Sequence, residues 1–488
     1  MRKILFFSAA LSFVLLATSC GEKSAVNEAD GPWVEAAKIV ENIKKVSFRD
    51  KVYNIKDFGA LAVTPDRPVV LAHDAINLAI TVCNQEGGGT VLIPDSTYLT
   101  GPITLKSNVN LHLADGAVLK FSTDQDLYFP GVFTRWEGVE CYNARPLIYA
   151  YGETNFALTG KGILDAQGAN DNWWAMCGAY HFGWREGMRA QSNGARARLL
   201  EWGEKEVPFY QRVFGPEDGM RPQFVNFYRC NTVLIEDVEL LNSPFWVIHP
   251  VFCDDLTVRG VKVFNRGPNG DGCDPESCKN VLIEGCTFDT GDDCIAIKSG
   301  RNVDGRKWNV PSENIVVRGC HMVNGHGGVV IGSEISGGYR NLYVEDCTMD
   351  SPQLDRVIRI KTSSCRGGII ENIYVRNVKV GRCNEAVLRI NLDYDPKEIC
   401  QRGNNPIVRN VHLENVTCQE SRYGVVLLGL EDECNIQNVS LKDCAFTGVK
   451  GDKTDSTILH LLGGRYDQVS FDNVSINGNL VEAPANTK

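Results

Sequence analysis

From Asn231 onward one short phrase recurs: a turn residue, a run alternating apolar and polar side chains rich in β-branched residues, then Gly, Asn or Asp followed by Val or Cys. Copies begin at Asn231, Asp255, Asn280, Asn314, Asn341, Asn372, Asn410 and Asn438, and the first starts lie 24, 25 and 34 residues apart. Short period-2 runs bounded by Asn, Asp and Gly read as strands, and a phrase repeating every few tens of residues reads as a solenoid. No helical period runs through the repeats. A single coil cannot bury its apolar face alone, so stacked coils must share one core. The prediction is an all-β parallel β-helix forming a single domain over 51–488, although 488 residues would otherwise suggest about three domains.

The region Tyr53 to Phe121, with Asp57-Phe58-Gly59-Ala60, a predicted helix over 72–83 and Gly87 to Gly89, reads as the N-terminal cap that a solenoid needs. Ahead of it, Met1, Arg2 and Lys3 are basic, Ile4 to Ala17 is apolar, and Ala17-Thr18-Ser19 precedes Cys20. That pattern predicts an export signal over 1–20. The run Leu16 to Cys20 also resembles a bacterial lipobox, which implies lipidation at Cys20 and a polar tether over 21–50. The expectation is an exported lipoprotein, periplasmic or on the cell surface, that meets a membrane only through its lipid. Setting Cys20 aside leaves seventeen of the 18 Cys, an odd number, so at least one thiol stays free. The repeated Cys286, Cys320, Cys347 and Cys444 read as an inward structural stack. An insertion at about 165–222 holds Trp173, Trp174, Trp184 and Trp202. These aromatics suit either stacking on sugar rings or a satellite core.

Stacking turns equal offsets in successive coils into neighbours about 4.8 Å apart. Aligning Asp292 to Lys298 with His326 to Gly332 and Asp355 to Lys361 places Asp292 beside His326 and puts Lys298 in one column with Lys361. The register of Asp271 stays ambiguous. Asp271, Asp292, Asp293 and His326, followed by Arg359 and Lys361, suit glycoside hydrolysis of an acidic sugar. One carboxyl must donate a proton to the leaving oxygen while another activates water, and crowded carboxylates can hold their pKa values apart. Arg359 and Lys361 would grip the sugar carboxylate. With 50 Lys and Arg against 60 Asp and Glu, the net charge is −10. An anionic ligand therefore needs a local basic island, and nucleic acid is not an expected partner.

In order, Asn269-Gly270-Asp271, Gly291-Asp292-Asp293, Gly325-His326-Gly327 and Arg359-Ile360-Lys361 resemble the signatures of glycoside hydrolase family 28, the polygalacturonases. The resemblance runs from about Tyr53 to the C-terminus. It implies a right-handed parallel β-helix and metal-free, cofactor-free, inverting hydrolysis of α-1,4-linked galacturonic acid in pectic polysaccharide or oligogalacturonides. Asp292 would be the general acid, Asp271 and Asp293 would activate water, and His326 would support the acid. Asn269, Arg359, Lys361 and Tyr394 would contact substrate, and Lys298, in one column with Lys361, is a further candidate contact. Gly270 stands where the family has Thr, which implies a looser backbone beside Asp271. The stretches Asn242 to Trp246, Gly267 to Ser277 and Ile331 to Gly338 resemble the exo-acting bacterial branch, and the 165–222 insertion could wall off one end of the groove. Competing readings are a rhamnogalacturonan or substituted-galacturonan hydrolase on the same fold, a calcium-dependent pectate lyase, and a non-catalytic pectin-binding surface protein.

Overall fold

The structure is a computed structural model that describes residues 31–451 and 459–486. It is a right-handed parallel β-helix, with two 13-stranded sheets, parallel except for the antiparallel pair Ser475–Ile476 and Asn479–Leu480 that ends the second, and a third face built from a 4-stranded and a 6-stranded sheet. Isolated bridges from Cys273 and Glu276 join the two parts of the third face.

The recurring phrase has a double physical basis. Its apolar positions stack inward in register, as in Leu256, Val281, Ile315, Leu342 and Ile373. All five are buried, and each such side chain contributes about 1.5–3 kcal/mol by leaving water. Its Asn opens the coil with left-handed backbone, φ +52° to +65° from Asn280 to Asn438, a conformation Asn tolerates better than most residues. The amide Nδ2 of Asn314, Asn341, Asn372, Asn410 and Asn438 each donates to the Oδ1 of the previous Asn at 2.9–3.1 Å. In the first copy the left-handed residue is Thr232, paired one position away from the Asn231 that the phrase suggested. The longer third interval accommodates a seven-residue helix, Asn302–Trp308, about two turns that the repeat pattern hid.

Cys286, Cys320, Cys347 and Cys444 are buried as expected, and Cys230, Cys253 and Cys278 form a second buried group. Fifteen described cysteines are free thiols, while Cys365 and Cys400 form a disulfide.

The predicted cap helix spans His73–Gln85 and inserts Ile76, Ala79, Ile80 and Cys83 into the core. The tether expected over 21–50 needs correction from residue 31. Gly31–Asn42 is a helix whose Ala36 and Ile39, with Ile43 just beyond, pack on Leu282, Val316 and Tyr343 outside the first sheet. Cys20 and the signal segment lie outside the described residues.

Candidate active site

Asp292 and Asp293 precede the strand Ile295–Ile297, His326 precedes Val329–Gly332, and Arg359 and Lys361 lie on Arg356–Lys361. These strands are consecutive in the third face, with Ile295 opposite Val329 and Val329 opposite Ile358. The register is the one predicted from sequence, with Lys361 beside Gly332 and Lys298 one coil before. Cys273 pairs with Ile295, which settles Asp271 beside Asp293. Gly327 lets these coils close, since a Cβ there would lie 2.3 Å from Val330 and 3.2 Å from Asp293 Oδ1.

Asp271, Asp292 and Asp293 each offer an oxygen within 4.8 Å of the others. Asp271 and Asp292 line a cleft of about 350 Å³ together with Trp246, Asn269, Lys298, His326, Arg359, Lys361 and Tyr394, while Asp293 lies buried just behind that lining. His326 Nδ1 lies 3.0 Å from Asp292 Oδ1. Burial alone would raise the Asp292 pKa, but the His326 hydrogen bond, that ring's charge and the ammonium groups of Lys361 and Lys298 hold it at about 2. The same hydrogen bond lifts His326 to about 9 against its loss of water. Burial, and then the charge of Asp292, push Asp271 well above the usual carboxylate range despite Lys298. Asp271 Oδ1 is buried without a hydrogen-bond partner. The buried Asp274, both of whose oxygens lack a hydrogen-bond partner, is raised in the same way, by burial first and then by Asp271, so the carboxyls most disposed to hold a proton are not Asp292, which the resemblance makes the acid.

Asp293 bridges the predicted carboxylate clamp: Lys361 Nζ donates at 2.6 Å and an Arg359 nitrogen at 3.4 Å. Both cations sit over the Tyr394 ring, 5.6 Å for Arg359 and 5.4 Å for Lys361. Asn269 has left-handed backbone and accepts from Arg221 at 2.6 Å. Lys298 is only 2% exposed, 3.2 Å from Glu334, 3.7 Å from Asp274 and 3.8 Å from Asp271, with its ammonium 4.3 Å from the Trp246 ring centre. It thus neutralises an acidic pocket more than it offers a charge to substrate. Its burial would lower its pKa, but Glu334, Asp274, Asp271 and Asp293 raise it well above the ordinary value.

The expected loosening at Gly270 is overturned. A Cβ there would lie 2.7 Å from the carbonyl oxygens of both Asn265 and Gly267, so the backbone beside Asp271 is packed too closely for a side chain.

Sequence reasoning missed the side wall. Arg301 contacts Glu137 at 3.2 Å, Glu334 at 3.3 Å and Glu398 at 2.8 Å, while Arg366 contacts Glu398 at 2.8 Å. Glu137 is at the tip of an antiparallel hairpin, Val132–Trp136 and Val139–Asn143, that crosses the third face. Thr134 donates to Asn226 at 3.0 Å and Arg135 to Glu276 at 3.0 Å. From the insertion, the helix Ala195–Glu204 supplies Arg196, paired with Glu137 at 2.7 Å. The cleft is thus closed toward the N-terminal coils. Of the four insertion tryptophans, none lines it. Trp173 is buried in the main core, and Trp202 packs with Phe214 in a satellite cluster containing Trp136 and Leu199. For these two, the packing alternative holds.

Residues 215–461 match the profile of Glycosyl hydrolases family 28. The fold superposes on a hyperthermoactive exopolygalacturonase from Thermotoga maritima with a TM-score of 0.84, at 39% identity, covering 92% of this chain and 97% of that one. A probable polygalacturonase of Vitis vinifera is 26% identical over 80% of this chain and 73% of its own. An exo-poly-alpha-D-galacturonosidase of Dickeya chrysanthemi is 25% identical over 75% of this chain and 63% of its own. With half its length matched by the family profile and nearly all of it aligned to a solved relative, the chain belongs to glycosyl hydrolase family 28 and is a glycoside hydrolase.

Proposed function

We propose that the protein is an exo-acting polygalacturonase that releases galacturonic acid from the end of α-1,4-linked galacturonan by inverting hydrolysis. The observation that carries this reading is one cleft lined by Asp271, Asp292, His326 and the Arg359 and Lys361 cations, with Asp293 buried against it, and closed by the hairpin tip and Arg196 at one end. A blind end suits a chain terminus, and two adjacent cations suit a uronic acid carboxylate. The exo-type relatives support the same reading.

In this mechanism Asp292 gives a proton to the glycosidic oxygen as the C1–O bond breaks. Water adds to C1 from the other face and gives its proton to Asp293 or Asp271. His326, held as an imidazolium beside Asp292, supplies the proton that Asp292 passes on. Asp271 serves as a base only when ionised, which its burial opposes, and Asp293 is already ion-paired. The oxygens approach within 4.8 Å, closer than the roughly 6.5–9.5 Å usual between inverting carboxyl groups and nearer the roughly 5–5.5 Å of retaining ones. Inversion is proposed from the resemblance of the site motifs to family 28; the cations on both Asp293 oxygens also weaken that carboxylate as a nucleophile.

The test is product analysis on polygalacturonate and short oligogalacturonates, with reducing ends, ultraviolet absorbance and anomeric proton signals followed together. Early monomer, first appearing as the β-anomer and without new absorbance, is the expected result. A ladder of oligomers would overturn exo action, an initial α-anomer would overturn inversion, and an unsaturated product would identify a lyase. For location, we propose lipid anchoring at Cys20 after export, on the sequence pattern alone. Recovery of the full-length protein in the soluble fraction of its native cell would refute it.

A further inference from the structure

Beyond the clamp, the basic lining continues in the direction away from the closed end. Arg389 lies on the next strand, Ala386–Asn391, in register with Arg359, so their backbones are about 4.8 Å apart. On both strands the flanking residues Ile358, Ile360, Leu388 and Ile390 are buried in the core. Alternation therefore turns Arg359 and Arg389 outward on one face. Arg356, on the Arg359 strand, lines the cleft itself. One carboxylate, Glu385, serves both guanidiniums, with one oxygen toward Arg356 and the other toward Arg389. Arg356 also contacts Asp355 at 3.2 Å, and its Nε is buried without a hydrogen-bond partner. Four cations, Arg356, Arg359, Lys361 and Arg389, thus face three carboxylates, Asp293, Asp355 and Glu385, on a chain of net charge −10. Burial, with Arg356 and Arg359 adding repulsion, lowers the Arg389 pKa to about 10. Counting direct ion pairs alone, these cations outnumber their carboxylate partners by one.

We propose that Arg356 and Arg389 form an additional subsite for the carboxylate of a galacturonate further along the chain, on the open side of the clamp. The inference rests on the exo-polygalacturonase reading. When the terminal sugar fills the blind end, the remaining polymer must run out over the later coils. A second carboxylate there meets guanidiniums that one shared glutamate only partly neutralises, and Arg can bind it through two N–H groups. The site binds and positions. It takes no part in bond breaking.

The experiment compares kcat/KM for digalacturonate, trigalacturonate and tetragalacturonate in the wild type, Arg389→Gln and Arg389→Lys. The expected result for Arg389→Gln is a fall of about tenfold in the ratio of trimer to dimer kcat/KM, mainly through KM, as loss of a charged hydrogen bond implies. Arg389→Lys should recover part of that ratio, and added salt should weaken the wild-type preference for longer chains. An equal loss on all three substrates, the signature of a disturbed Glu385 or a damaged fold, would overturn the subsite. So would an unchanged ratio. Wild-type enzyme inert on all three oligomers would overturn the polygalacturonase reading itself, and the subsite with it.

Discussion

Replacing His326 by Gln keeps a hydrogen-bond donor beside Asp292 and removes its positive charge. The native contact is 3.0 Å, and it raises the imidazole from an ordinary 6.5 to about 9. Unscreened, that rise is worth about 3 kcal/mol. The ring is 53% exposed, so solvent screening leaves about 1 kcal/mol. Asp292 moves less, to about 2, because burial opposes the pairing. The raised His326 contributes stability in full below about pH 6.5 and loses it as pH rises through about 9. The lowered Asp292 contributes above about pH 3.9 and loses it as pH falls through about 2. Wild type and His326→Gln should therefore differ most in stability between about pH 4 and 6.5 and converge above about pH 10. Activity gives the sharper readout, since kcat/KM reports groups of the free enzyme. The proton held by the native pair leaves near 9, and Gln holds none. The alkaline limb of kcat/KM should move down by about one pH unit or more, with kcat reduced about 100-fold. Rates on an oligogalacturonate and melting temperatures across that range check both halves. An alkaline limb that stays in place would refute the proton relay, and a stability gap persisting at about pH 10 would refute its electrostatic origin.

Asp292→Asn should cut turnover by at least about 100-fold while substrate binding, measured by calorimetry, stays close to wild type; turnover near wild type would remove Asp292 from the mechanism. Lys361→Ala takes away the 2.6 Å partner of Asp293 and should raise KM while lowering kcat in steady-state assays, because the clamp both positions the sugar and holds the base. An effect on neither would place the clamp elsewhere. Gly270→Thr restores the family's usual residue but drives a Cβ to 2.7 Å from two carbonyl oxygens. The expected cost is about 1–3 kcal/mol of overpacking, read as a lower melting temperature; a variant as stable as wild type would show that the turn gives way easily.

What the sequence disclosed follows the physics of parallel pairing. Asp292, His326 and Asp355 could be aligned because consecutive strands of the third face pair residue for residue. Asp271 could not, because its coil joins that face only through isolated bridges at Cys273 and Glu276. The helix at Gly31–Asn42 escaped notice although Ala36, Ile39 and Ile43 have the 3- and 4-residue spacing of a buried stripe; the polar residues between them suggested a tether.

The blind end is a different case. Glu137, Arg196, Arg301, Glu334 and Glu398 come from a hairpin, an inserted helix and three separate coils, so no period relates them. Arg301 and Glu137 are 164 positions apart, and Arg301 and Glu398 are 97 apart. Such buried charges contribute little net stability, since desolvation offsets much of their attraction, but removing one partner strands the others. Their arrangement couples the hairpin tip and Arg196 to the catalytic coils: Glu334 contacts both Arg301 and Lys298, and Lys298 in turn faces Asp271. The network that closes the groove thus also fixes the charge beside a candidate base. A substitution at the blind end should therefore alter turnover as well as the choice between chain ends and chain interiors.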